Sequence, residues 1–224
     1  MHTQLPDADA LTFRRDGAHR VGAAVSAADM HGIVDAVAGL PLKRAGVRLH
    51  GIAALRPFLS PSGAVGEVAA SALGPNCQPV RAILFDKTAE MNWSLTWHQD
   101  RTIAVAQRIE VDGFGPWTVK DGLLHVAPPF DILAGMVTLR VHLDPVPVSN
   151  APLLIAPGSH RFGRIPEREV PDVVKRRDRR LLGGSGRYLA LRNADTARLG
   201  GGVRTGAASG VASRLRGRPS AGRS

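Results

Sequence analysis

Two stretches of the chain alternate between apolar and polar residues with a period of two. In residues 91–100 the odd positions are apolar apart from Gln99, and the even positions are all polar: Asn92, Ser94, Thr96, His98 and Asp100. In residues 136–144, Val137, Leu139, Val141 and Leu143 alternate with Thr138, Arg140, His142 and Asp144. Successive side chains on a β-strand point to opposite faces, so both stretches are predicted to be strands with one polar face.

Helical patterns lie mainly in the N-terminal third. Ser26 followed by Asp29 is a variant of the capping box, and Met30, Ile33, Val34 and Val37 follow at helical spacing until Gly39 and Pro41. A second helix is predicted over residues 64–73, ended by Gly74 and Pro75. Residues 13–21, FRRDGAHRV, are predicted to form a short strand after a glycine turn.

Short strands dominate the rest of the chain. VRAILF (80–85) is a candidate buried strand, and PLLIAPGSHRFG (152–163) is a short apolar strand that runs into a turn. Many short strands after N-terminal helices favour a mainly β fold, an antiparallel barrel or jelly roll with helices packed outside it.

The charge of the chain is concentrated in its last fifty residues. Of the net charge of +10, residues 175–224 contribute +11 and residues 1–174 contribute −1. We therefore divide the chain into a domain over 1–174 and a basic, Gly/Arg-rich tail over 175–224, which we expect to be disordered. The tail has one aromatic residue, Tyr188, among its arginines, and no recognisable nucleic-acid-binding module. At most, non-specific and salt-sensitive binding to nucleic acid is expected.

Three features predict a cytoplasmic protein. Cys77 is the only cysteine, so an internal disulfide is impossible and a reducing compartment is the simplest interpretation. The N-terminus contains acidic residues and lacks the apolar run of a signal peptide. No stretch approaches the ~18 apolar residues of a membrane-spanning helix, so no membrane partner is expected.

His98 and Asp100 are the strongest candidates for chemistry. Two residues apart on a strand, they share a face, with Cα atoms about 7 Å apart at ~3.4 Å per residue. An imidazole and a carboxylate supply two of the three ligands in the 2-His-1-carboxylate site of non-haem Fe(II) oxygenases. The pattern is also compatible with an ordinary polar strand face or with a histidine in a salt bridge.

Several motifs in order resemble the phytanoyl-CoA dioxygenase family. They are ILFDKTAEMNWSLTWHQDRTIAV (83–105), HVAPPF (125–130), TLRVHLD (138–144) and NAPLLIAPGSH (150–160). FRRDGAHRV is similar to the F-x-x-D-G opening of that family, so the resemblance covers about residues 11–174. It implies a double-stranded β-helix, or jelly roll, with Fe(II) and 2-oxoglutarate as cofactors. The implied activity is hydroxylation of a small organic substrate.

The resemblance also assigns residues. It implies that His98 and Asp100 are the first two iron ligands and that Lys87 and Thr138 contact 2-oxoglutarate. Lys87 is equally compatible with a solvated charge at a strand end. His160 matches the P-G-S-H turn of the family and is not implied as a ligand. No separate catalytic side chain is assigned, and the oligomeric state stays open.

The third iron ligand of the family is missing from this sequence. No histidine follows His160, where the family has a segment like D-x-W-x-Y-x-T-P-I-L-H-A-S.

Back-translation of residues 186–199 with permitted codons, read one nucleotide later, gives ADIWRYATPILHA. The tail therefore looks like the product of a frameshift near VVKRRDRR (173–180). We expect a jelly roll that is incomplete at its C-terminus. The alternative function is an inactive or impaired relic.

Overall fold

The structure analysed is a computed structural model of the 224-residue chain. It describes residues 7–21, 25–40, 46–86, 96–143, 153–177, 180–181, 188–192, 197–199 and 206–213. The helices are α1 (Asp7–Asp16), α2 (Ala27–Val37), α3 (Arg56–Leu59), α4 (Gly66–Leu73), α5 (Phe130–Ala134) and α6 (Val170–Lys175). Short 3-10 turns cover Ala53–Leu55, Ser159–Phe162 and Glu167–Glu169. None of the helices in these ranges has the length and apolar character needed to cross a membrane.

The strands form three antiparallel sheets. They are β1 (Ala18–His19), β2 (Val47–Arg48), β3 (Gln78–Asp86), β4 (Ile103–Val105), β5 (Trp117–Lys120), β6 (Leu123–Val126), β7 (Met136–His142), β8 (Leu153–Ile155), β9 (Arg180–Leu181), β10 (Tyr188–Arg192), β11 (Ala197–Leu199) and β12 (Gly206–Ser213). The main sheet has the order β1-β10-β7-β12-β3-β2. The two smaller sheets have the orders β11-β8-β9 and β4-β6-β5.

The helix α2 begins as its sequence predicts. The Ser26 hydroxyl accepts a hydrogen bond from the main-chain N–H of Asp29 at 3.0 Å, which satisfies one of the free amides in the first turn. Met30, Ile33 and Val37 are buried on one face of this helix, at the predicted spacing. The predicted helix over 64–73 is also confirmed, with α4 beginning at Gly66.

The main core lies between the N-terminal helices and one face of the main sheet. Leu84 of β3 and Val137, Leu139 and Val141 of β7 belong to the same buried cluster as Phe13, Ile33 and Val68. The predicted alternation of β7 is confirmed over residues 136–142, since its apolar positions enter this core. Its polar positions therefore lie on the opposite face of the sheet, where the candidate site is located.

Two regions differ in detail from the sequence-based expectation. The helix α1 precedes the Gly17 turn and was not predicted; the strand expected after this turn is the short β1. Residues 96–100 do not form a regular strand, and only His98 takes part in an isolated β-bridge. Residues 91–95 of that predicted strand lie outside the described residues. In this segment the Gln99 side chain is hydrogen-bonded to the main chain of the turn at Gly163 and Ile165.

The described parts of the tail contribute strands. Residues 188–192 pair with β7 and β1, and residues 206–213 lie between β3 and β7. The incompleteness expected at the C-terminus is therefore not confirmed and stays a prediction.

Candidate metal centre

The His98 ring is oriented by the main chain of its own segment. Its Nδ1 lies 2.7 Å from the carbonyl oxygen of Thr96. A carbonyl only accepts hydrogen bonds, so this contact places the proton on Nδ1. The lone pair of the neutral ring is then on Nε2. A metal-binding histidine has this arrangement, with one ring nitrogen donating to a carbonyl and the other free to bind the ion.

Asp100 lies in a positively charged environment. Its Oδ2 is 3.6 Å from Nη2 of Arg81, and 39% of its side chain is exposed. Burial lowers the pKa of Arg140 to about 10, and the nearby Asp100 carboxylate opposes that shift. The carboxylate thus faces two guanidinium groups and stays accessible to a ligand.

The β12 strand aligns the polar residues of its two neighbours. Arg81 of β3 and Thr138 of β7 both have Val211 as their Cα partner, and Arg140 has Ser209. Directly opposed residues in antiparallel strands point to the same face. Arg81, Thr138 and Arg140 therefore share the face opposite the main core. Phe85 contributes an apolar surface there, with the Arg140 guanidinium 5.8 Å from its ring centroid.

Two histidines near this face are buried in the neutral form. Burial, with the charges of Arg140 and Arg20, lowers the pKa of His142 to about 4. The pKa of His125 is also lowered, mainly by burial, and its Nδ1 contacts the Leu123 carbonyl oxygen at 2.9 Å. Within the described part of the chain, His142 Nδ1 and His125 Nε2 have no hydrogen-bond partner.

The segment that carries His98 and Asp100 is fixed to the turn after the P-G-S-H motif. The Gln99 side chain donates to the Gly163 carbonyl at 3.0 Å and accepts from the Ile165 N–H at 2.9 Å. Arg101 also donates to the carbonyl of Ile165. Gln99 was not among the site residues expected from the sequence. The sequence does mark this residue, because Gln99 is the one polar residue at an apolar position of the alternation at 91–100.

The other candidates lie apart from this centre or outside the described residues. His160 Nε2 contacts the carbonyl oxygen of Arg14 at 3.1 Å, at the end of α1. Lys87 lies outside the described residues, so its expected contact with 2-oxoglutarate stays a prediction. Trp97, an apolar position of the alternation at 91–100, is partly buried and packs against the cluster that contains Ile165 and Val174.

The donors at this centre fit part of an iron site. His98 offers an imidazole nitrogen and Asp100 a carboxylate, which are two of the three ligands that non-haem Fe(II) oxygenases use. Among the described residues, no group of three or more His, Cys, Asp or Glu side chains is placed to hold a metal ion. The third ligand is thus not supplied by the part of the chain that the structure describes.

Comparison with known proteins gives one family and several similar folds. The family model described as phytanoyl-CoA dioxygenase matches residues 13–179. No curated protein sequence matches the chain significantly.

Several solved structures of oxygenases are similar to this fold. EctD from S. alaskensis, solved with 2-oxoglutarate and 5-hydroxyectoine, is 17% identical with a TM-score of 0.69, over 94% of this chain and 77% of that one. AviO1 from Streptomyces viridochromogenes is 17% identical with a TM-score of 0.66, over 98% of this chain and 99% of that one. The epimerase SnoN, solved with Fe3+, alpha ketoglutarate and nogalamycin RO, is 16% identical with a TM-score of 0.63, over 97% of this chain and 91% of that one. These similarities confirm the jelly-roll fold class.

Proposed function

Because the chain belongs to the phytanoyl-CoA dioxygenase family, we propose that it is an Fe(II)- and 2-oxoglutarate-dependent dioxygenase that hydroxylates a small organic substrate. Family membership makes it an enzyme by class and gives Fe(II) and 2-oxoglutarate as the cofactors of that class. The observation that carries the proposal is the orientation of His98. Its Nδ1 contact with Thr96 leaves Nε2 available inside the matched region.

His98 and Asp100 would hold the iron in this proposal. The bound Fe(II) supplies the activation of O2 and the oxidation of an unreactive C–H bond, which no protein side chain achieves. The chain contributes ligand geometry, since Gln99 fixes the backbone between the two ligands.

Thr138 and Lys87 are proposed to contact 2-oxoglutarate. Thr138 lies on the same sheet face as Arg81 and Arg140, so its hydroxyl faces a region that favours anions. The carboxylates of 2-oxoglutarate would offset the positive charge of those arginines. The position of Lys87 rests on the family resemblance alone.

A second proposal concerns the tail. We place the start of the tail at Lys175, where the charge changes, and the family match ends four residues later, at residue 179. A frameshift in this region would remove the histidine that completes the iron site and the arginine that follows it in the family. The chain as it stands would then be a weakly active or inactive relic with a jelly roll that is incomplete at its C-terminus.

The remaining expectations follow from these two proposals. The natural partner is a small molecule, with no specific nucleic-acid partner and no membrane partner. The domain boundary is placed after residue 174, and the compartment is proposed to be cytoplasmic because Cys77 is the only cysteine.

Turnover of 2-oxoglutarate tests both proposals together. The 224-residue chain is compared with a chain in which the shifted frame is restored, so that ADIWRYATPILHA replaces Gly186–Leu199 and the downstream frame follows. With Fe(II), ascorbate and O2, the restored chain should form succinate, and the 224-residue chain little or none. Absence of succinate from a folded, iron-loaded restored chain would refute the dioxygenase proposal. Equal turnover by both chains would refute the frameshift proposal.

A further inference from the structure

A large pocket lies beside the turn that Gln99 contacts, since Ile165, the hydrogen-bond partner of Gln99, lines it. It has a volume of about 840 Å³ and lies between the end of α1, the turn at Pro157–Phe162 and α6. His98, Asp100 and Thr138 do not line it. We propose that this pocket is a binding site for small organic molecules that carry a diphosphate or triphosphate group.

The wall of the pocket has an excess of positive charge. Its lining includes five arginines and two carboxylates, Asp16 and Glu169, so its net charge is +3. The arginines are Arg15, Arg161, Arg164, Arg176 and Arg177. A diphosphate ester carries close to three negative charges near neutral pH, which matches this excess. The pocket therefore favours a polyanion of that charge over a neutral ligand.

Three of these arginines are oriented by main-chain carbonyl groups. Arg161 donates to the Arg14 carbonyl at 3.3 Å, Arg164 to the Pro128 carbonyl at 3.1 Å and Arg177 to the Pro157 carbonyl at 3.1 Å. A carbonyl fixes the direction of a guanidinium group but does not neutralise its charge. Each group keeps further N–H donors in a planar fork that matches phosphate oxygens.

Both acidic residues of the wall are engaged by arginines, and one of these, Arg15, itself lines the pocket. Asp16 receives two hydrogen bonds from Arg15, at 2.8 and 2.9 Å. Glu169 lies 3.3 Å from the Arg168 guanidinium, which does not line the pocket. Arginines that approach from α1, from the turn and from α6 surround a tetrahedral phosphate more completely than a planar carboxylate. Phosphate is therefore the preferred anion.

The pocket also has an apolar surface for the organic part of the ligand. The Phe162 side chain is 51% exposed, and the Arg177 guanidinium lies 4.8 Å from its ring centroid. Ile165 and Val173 line the same cavity. A ring or short chain attached to the phosphates would cover this surface, as is usual in pockets for organic ligands.

Calorimetric titration of the full-length chain with ADP and pyrophosphate tests this site, with citrate as a carboxylate of similar charge. We expect ADP and pyrophosphate both to bind. Citrate should bind at least ~10-fold more weakly, a difference in affinity that corresponds to about one charge-assisted hydrogen bond. Arg161→Gln and Arg164→Gln should each weaken ADP binding by ~10-fold. Arg108→Gln is the matched control, because Arg108 is exposed beside Glu110 and Trp117.

The controls separate this site from the metal centre and from the part of the basic tail that does not line the pocket. A variant with Arg214, Arg216 and Arg218 changed to Gln should bind ADP like the parent chain, and so should Asp100→Ala. If a pocket variant does not fold, Arg176→Gln, at an exposed position, replaces it. The proposal is overturned if the folded chain binds no phosphate or if citrate binds equally well. It is also overturned if the tail or Arg108 variant weakens binding as much as the pocket variants do.

Discussion

The side chain of Gln99 is hydrogen-bonded to the main chain at Ile165, 66 residues further along the sequence. Its Oε1 accepts from the Ile165 N–H at 2.9 Å, and its Nε2 donates to the neighbouring Gly163 carbonyl at 3.0 Å. Gln99 is 5% exposed and lies between the two proposed iron ligands. This pair of bonds therefore sets the position of His98 and Asp100 relative to the turn.

Replacing Gln99 tests that relationship. Gln99→Ala leaves the Ile165 N–H and the Gly163 carbonyl without this partner in a largely buried region. The free energy of unfolding should fall by about 1–3 kcal/mol, the usual cost of unpaired buried polar groups. Chemical denaturation measures the change. Gln107→Ala is the matched control at an exposed position, and equal effects of the two substitutions would contradict the structural role of Gln99.

Protonation of His142 should destabilise the fold in mild acid. Its pKa is lowered from 6.5 to about 4 in the folded chain by burial and by Arg140 and Arg20. Between these two pH values the unfolded chain binds a proton that the folded chain does not. The free energy of unfolding should therefore decrease as the pH falls through this window, by up to about 3 kcal/mol, and stay level above it.

The His142→Asn variant checks this dependence. It removes the titrating ring and should flatten part of the decrease in the free energy of unfolding between pH 6.5 and 4.5. His125, whose pKa is also lowered by burial, should account for part of the remaining slope. Parallel stability curves for the parent and the variant over this window would show that His142 is not buried as a neutral ring.

The start of α4 should not tolerate a side chain at Gly66. A Cβ atom there would overlap the carbonyl oxygen of Ser60, which belongs to the rigid main chain and cannot turn away. Gly66→Ala should lower the free energy of unfolding by about 3 kcal/mol or more, because the backbone itself must shift. Thermal unfolding measures the loss. Gly39→Ala is the control, since a Cβ there meets no atom within 4 Å.

The sequence predicted those elements whose structure is determined locally. Ser26 caps α2, and the polar positions of β7 face away from the core, because capping and strand alternation depend on neighbouring residues. Residues 96–100 could not be predicted in the same way. There the backbone is held by Gln99 through bonds to residues more than sixty positions away, and alternation alone suggested a regular strand.

The candidate site was predictable in its chemistry but less so in its surroundings. His98 and Asp100 were identified from residue type and spacing. The proximity of Arg81 to Asp100 depends on the place of β3 in the main sheet, between β12 and β2, which no local pattern encodes. The arginine-lined pocket also joins α1 to residues some 150 positions later, so it is visible only in the folded chain.

Anaerobic titration of the frame-restored chain with Fe(II) and 2-oxoglutarate tests the iron site most directly. The measured quantity is the visible charge-transfer band that appears when 2-oxoglutarate chelates protein-bound Fe(II). The frame-restored chain and its control variant His160→Ala should both show the band. His160 contacts Arg14 at the end of α1 and is not a proposed iron ligand. His98→Ala and Asp100→Ala should each lose it while remaining folded. A band that survives in both of these variants, or one that disappears in His160→Ala, would contradict the assignment of His98 and Asp100 as the ligands.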